Sequence, residues 1–166
     1  MATRTIVRFP DPRLRERAAE VVAFDAALRS LAADLLDTMR AVAGIGITAP
    51  HVGVLLRLVV LELTPADGVR TYVNPRVTWS SPETIRHQEG SVSMPGVAAD
   101  VERPARVRVA FQDLAGAEAT EEADGLLAVC LQHEIDQLDG IFWTQRLSRL
   151  KREQLVRRYE KIGRGR

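Results

Sequence analysis

The chain has 166 residues and a formal net charge of +1, with 46% hydrophobic and 27% charged side chains. That balance fits a single domain over residues 1–166 with a sizeable core, and excludes wholesale disorder. It offers no concentrated basic face for nucleic acid, and the apolar runs are far shorter than the roughly 20 residues needed to span a membrane.

Cys130 is the only cysteine, so no intramolecular disulfide can form, and a cytoplasmic location is expected. The opening Met1 to Arg8 lacks the apolar stretch of a secretory signal. Phe9-Pro10-Asp11-Pro12 reads as a turn or the first turn of a short helix. Asp25 then caps a long helix whose Leu28, Leu31, Leu35, Met39 and Val42 form one buried stripe. Gly44 and Gly46 end it and open a loop over residues 44–53, which lacks the lysine of a phosphate-binding loop.

Strand character follows at residues 55–63 and 71–73. Asn74-Pro75 reads as a turn, after which residues 77–79 resume the sheet. Residues 105–111 alternate, with Val107 and Val109 facing one way and Arg106 and Arg108 the other. A second long helix is expected from Gly125 to Gly140, and a last one from Ser148 to about Lys161. The basic run Lys151, Arg152, Arg157, Arg158, Lys161, Arg164 and Arg166 reads as its solvated face rather than a polyanion contact. Short strands around long helices, without a repeated β-α-β spacing, indicate an α+β fold.

Besides the loop at 44–53, two segments carry chemistry. Glu89-Gly90-Ser91-Val92-Ser93-Met94-Pro95-Gly96 reads as a turn-rich loop in which Ser91 and Ser93 bond locally to the backbone. In Gln132-His133-Glu134-Ile135-Asp136-Gln137-Leu138-Asp139-Gly140, positions 133 and 137 share one helical face. Two histidines there would hold a zinc ion, with the glutamate between them as base for a bound water. The chain has only the first, His133.

Read together, the three segments resemble the motifs of the peptide deformylase family. The flanks agree too: Val7-Arg8-Phe9-Pro10-Asp11-Pro12, Val73-Asn74-Pro75, Arg103-Pro104 and Leu126-Leu127-Ala128-Val129-Cys130. The resemblance implies mixed or antiparallel sheets around a central motif-bearing helix, and removal of the formyl group from N-terminal methionine. It implies a divalent metal (iron, zinc or nickel) held by one cysteine and two histidines. Those positions are Ser91, His133 and Gln137 here. Glu134 stands at the general base, and His51 replaces a glutamine that helps hold the formyl oxygen together with the Val92 N–H. Ile45, Gly46, Ile47, Val92 and Leu131 are expected in the substrate pocket, with Arg103, Glu89 and Asp136 as outer partners.

A serine hydroxyl is neutral where a thiolate is charged, and a glutamine offers only an amide oxygen. A structural zinc site with its full ligands is worth roughly 10–16 kcal/mol, so losing two ligands should weaken metal binding by orders of magnitude. His51 could donate to an oxyanion or turn a nitrogen to a metal; His87 reads as an exposed loop residue and Cys130 as a small buried one. Three functions remain open. The chain is a deformylase-like protein with weak or no metal-dependent activity, a hydrolase with a metal site rebuilt on His51, or a non-catalytic scaffold. N-formylated or other short peptides are the expected partners.

Overall fold

The computed structural model describes residues 2–164, so Arg166 of the basic run lies outside them. The elements in chain order are α1 (Ala26–Ala41), β1 (Gly46–Thr48), β2 (Leu58–Leu61), β3 (Arg70–Ser80), β4 (Thr84–Ser91) and β5 (Met94–Pro104). They continue with β6 (Arg106–Gln112), β7 (Glu118–Asp124), α2 (Gly125–Leu138) and α3 (Arg149–Arg164). Strands β1-β2-β3-β6-β7 form one antiparallel sheet, and β4-β5 form a separate two-stranded sheet. This is the expected α+β architecture.

Strand alternation decides what the helices cover. Leu58 and Val60 of β2 face α1, where they pack with Leu35 and Met39. Val59 and Leu61 face the other way, onto Leu131, Ile135 and Leu138 of α2. The five-stranded sheet is therefore covered by α1 on one face and α2 on the other. A third apolar cluster joins Met94, Val97 and Val101 of β5 to Phe142, Trp143 and Leu155, closing α3 over the hairpin.

Asp25 caps α1 by accepting from the Leu28 N–H at 3.0 Å. At residues 74–75 the chain does not turn; β3 runs through as one strand. Asn74 takes a left-handed conformation (φ 51°), and the register with β6 shifts between Val73 and Arg76. Its amide bridges Val21 and Gln112, which fixes the irregularity. Residues 89–96 are a hairpin rather than a loop, its strands paired from Thr84 with Pro104 up to Ser91 with Met94. His87 accordingly lies on a strand. On α3 Leu155 is buried while the basic residues stay on exposed or partly exposed faces. No helix among the described residues is long and apolar enough to cross a membrane.

Candidate functional site

A cleft of about 450 Å³ opens between the loop before β1, the tip of the β4-β5 hairpin and one stripe of α2. Leu126, Val129, Cys130, His133 and Glu134 line it from the helix; Ile45, Gly46, His51, Glu89, Ser91 and Val92 line it from the other two sides. Ile47 and Leu131, expected here, are fully buried elsewhere. Ile47 follows Gly46 on a strand and so points to the opposite face, into the α1 cluster. Leu131 lies on the α2 stripe that meets the sheet. Val42, expected in the buried stripe of α1, instead lies just past the end of that helix and is exposed at the mouth, beside exposed Leu126, which the sequence reading missed. Cys130 also lines the cleft, and burial pushes its thiol up to about 12, so it is neutral.

Gly46 allows the closest approach. A Cβ built there would lie 2.9 Å from both Glu134 Oε1 and Leu61 Cδ2, so a larger residue would push one or both of these side chains aside.

Behind the cleft is a fully paired ion network. Arg103, 4% exposed, binds Glu89 with two nitrogens at 2.6 and 2.9 Å and Asp136 with a third at 2.9 Å. Arg146 closes on Asp136 from outside at 2.7 and 2.8 Å. Glu89 then meets His133 Nδ1 at 2.8 Å. Burial pushes the Glu89 carboxyl up, but the hydrogen bonds from His133 and Arg103 outweigh it and bring it down to about 2. An ionised Glu89 makes His133 Nδ1 the donor and leaves Nε2 on the cleft side, 4.0 Å from Glu134 Oε1. Burial lowers the His133 pKa, yet the bond to Glu89 and the charge of Glu134 together raise it above its ordinary value.

Two groups facing the cleft differ sharply from that network. His51 is 1% exposed, and its Nδ1 accepts the Thr48 backbone N–H at 2.9 Å in a capping box. Burial lowers the ring to about 3, so it is neutral and carries its proton on Nε2. That Nε2, like Glu134 Oε2, is buried with no hydrogen-bond partner. Burial also pushes the Glu134 carboxyl up to about 7.

An antiparallel α+β shell with a His–Glu pair on its central helix defines the class, and the comparisons supply the family. The model for polypeptide deformylase matches residues 3–153, and the chain belongs to the polypeptide deformylase family. It is 66% identical over 164 residues to a Brucella melitensis protein named peptide deformylase-like, spanning 99% of this chain and 100% of that one. A Rhizobium meliloti protein named peptide deformylase is 41% identical, over 100% of this chain and 97% of its own length. The crystal structure of a Legionella pneumophila peptide deformylase superposes with a TM-score of 0.93 at 38% identity, covering 98% of this chain and 96% of that one.

The residues here do not fit the family's three-ligand metal centre. Gln137, one turn beyond His133, does not line the cleft: it is 2% exposed and its amide nitrogen donates to the Leu14 carbonyl at 2.8 Å. Ser91 Oγ lines the cleft but accepts the Ser93 N–H at 3.1 Å. Among the described residues no three His, Cys, Asp or Glu side chains are grouped so as to hold a metal ion. His51 is a poor replacement, because binding through Nε2 would move its proton to Nδ1, against the Thr48 N–H.

Proposed function

We propose that this chain is a deformylase-family protein that binds the amino-terminal end of short peptides in its cleft and has little or no metal-dependent deformylase activity. The carrying observation is the Gln137 amide, whose nitrogen is bonded to Leu14 at the position where the family has a metal-binding histidine. Hydrolysing a formamide needs a base, donors for the developing oxyanion, and an activated water. Glu134 supports the first role, His51 Nε2–H and the Val92 N–H the second. For the third, Ser91 and Gln137, in place of a thiolate and an imidazole, would hold only weakly the metal that activates the water. A chain with a single, buried cysteine and hence no intramolecular disulfide is consistent with a cytoplasmic location.

Elemental analysis of the protein as isolated, run beside turnover of a formyl-methionyl peptide, tests this reading. Well below one equivalent of metal and negligible turnover are expected. Ser91→Cys with Gln137→His should recover both, and either change alone much less. A full equivalent of zinc, iron or nickel with chelator-sensitive turnover in the unaltered chain would overturn the proposal.

A further inference from the structure

We propose a second ligand site, separated from the cleft by the Arg103–Glu89 ion pair, which takes a small phosphomonoester. A cavity of about 470 Å³ opens there between β3, the base of the β4-β5 hairpin and the last turns of α2. The helix turns Gln132, Ile135, Asp136 and Asp139 towards it, an i, i+3, i+4, i+7 stripe distinct from the one that faces the cleft. Five arginines (17, 57, 76, 103 and 146) line it together with Glu102 and the two aspartates. Four of them are held in pairs. Arg17 and Arg57 meet the same oxygen of Asp139, at 3.6 and 2.8 Å, and Arg103 and Arg146 meet the same oxygen of Asp136, at 2.9 and 2.8 Å. One carboxylate between two guanidiniums leaves one positive charge over. Glu89 takes up that of Arg103 from the cleft side, and Glu102 has a cation of its own in Arg86, 4.0 Å away. The Arg76 side chain has no ion pair or hydrogen bond among the described residues. Six guanidiniums therefore stand against four carboxylates. The negative end of α2 offsets about half of one charge, and Arg57 and the Ala18 N–H already meet its Leu138 carbonyl. His133, beyond Glu89, can only add to the excess.

More than one unanswered positive charge matches a phosphomonoester, which carries about 1.5 to 2 negative charges near pH 7. A carboxylate, a sulfate ester or a phosphodiester brings only one. Donors for the phosphate oxygens are in place. The whole Arg76 fork is free, and the ion pair of Arg17 is long, at 3.6 Å. On Arg146, Nε and Nη2 hold Asp136 while Nη1 has no partner among the described residues. Planar guanidinium forks bind phosphate oxygens in pairs, so neighbouring arginines grip such a group from several sides. The cavity is larger than a bare phosphate needs. Val77, partly exposed, with Pro104 and Ile135 offers apolar surface to the esterified group. This site does not depend on what the cleft binds.

Calorimetric titration slightly above neutral pH, at constant ionic strength, tests the proposal with phenyl phosphate, phenyl sulfate and inorganic phosphate as probes. Phenyl phosphate should bind saturably and at least about tenfold more tightly than phenyl sulfate, the scale of one further charge-assisted hydrogen bond. Inorganic phosphate should be the weaker of the two phosphates. Arg76→Gln and Arg17→Gln, both at exposed positions, should each weaken phenyl phosphate about tenfold and leave Tm unchanged. Arg8→Gln removes a charge from the lining of the cleft instead, and should leave binding within about twofold. Absence of saturable binding, or equal affinity for the phosphate and the sulfate ester, overturns the site. Inorganic phosphate binding as tightly as the ester overturns the assignment of a monoester. A loss with Arg8→Gln as large as with Arg76→Gln places the anion in the cleft and overturns the second site. The probe series on the unaltered chain decides the matter even if a variant fails to fold.

Discussion

His133 and Glu134 are adjacent on α2, yet they stand at the edges of two differently built neighbourhoods. On the His133 side, Glu89, Arg103, Asp136 and Arg146 use their charges on one another at distances of 2.6–2.9 Å. On the cleft side, His51 Nε2 and Glu134 Oε2 have no partner at all. Buried polar atoms are nearly always paired, so unpaired ones in a cleft mark where a ligand or an ordered water is to be met. The network that orients the imidazole is intact although two of the family's metal-ligand positions have changed. Neither Ser91 nor Gln137 takes part in it, so the imidazole is oriented without either of them.

The comparison can be broken most directly at Arg103. Arg103→Met leaves Glu89 and Asp136 buried with their main counter-charge gone, which should cost about 3–5 kcal/mol and lower Tm by on the order of 10 °C by calorimetry. A drop of only a degree or two would mean the network contributes little. Next in size, Gly46→Ala forces a methyl group to within 2.9 Å of Glu134 Oε1 and Leu61. Overpacking of this kind costs about 1–3 kcal/mol, and peptide binding should weaken together with Tm.

The pH dependence of stability sharpens the contrast, because the two glutamates act with opposite sign. Glu134 has its folded pKa raised from 4.5 to about 7. Its stabilising contribution is therefore complete below about pH 4.5 and is lost as pH rises through 7. Glu134→Gln should make the protein more stable above neutrality, by on the order of 2 kcal/mol, with the advantage vanishing in acid. Glu89 is held down from 4.5 to about 2, so its contribution is present above 4.5 and is lost as pH falls through 2. Urea unfolding of the Glu134→Gln and Glu89→Gln variants across pH should give curves that diverge in opposite directions. The smallest effect is expected for Thr48→Val, which removes the capping hydroxyl but keeps the backbone N–H on His51. A loss of about 0.5–1 kcal/mol is expected, with ¹⁵N histidine spectra still showing the proton on Nε2.

Features carried by periodicity could be read from the sequence. Asp25 and the Leu28–Leu31–Leu35–Met39 stripe located α1, and the residues around His133 located α2, because both helices bury one or two regular stripes. Strands β4 and β7 escaped notice: Thr84–Ser91 and Glu118–Asp124 are mostly polar and exposed, so they carry no alternation to detect. The glycines and proline of residues 89–96 suggested a loop where pairing with the partner strand enforces a hairpin. At the site, the resemblance to the family singled out His51, Ser91, His133 and Glu134, and all four line the cleft. The orientation of Ile47 and Leu131 depended on which face of a three-residue strand and of a doubly buried helix meets the cleft, which a local pattern does not encode. The bond from Gln137 to Leu14 joins residues 123 positions apart, a contact visible only once the chain has folded.

The β4-β5 hairpin forms no ladder with the larger sheet, and this has a mechanical consequence. Its tip carries Ser91 and Val92, one wall of the cleft, while its inner face rests on α3 through Met94, Val97, Leu155 and Ile162. Gly96 faces the same helix, and a Cβ there would be in ordinary contact with Ile162 at 3.4 Å. The opposite wall, on α2, is anchored in the five-stranded sheet. The two walls are therefore joined through side chains rather than a ladder, Glu89 and Arg103 of the hairpin meeting His133 and Asp136 of α2, and the carboxy-terminal helix buttresses the hairpin from its other side. Leu155 and Ile162, which do this packing, lie beyond residue 153, where the family match ends, so the support of this wall comes from a part of the chain outside that match.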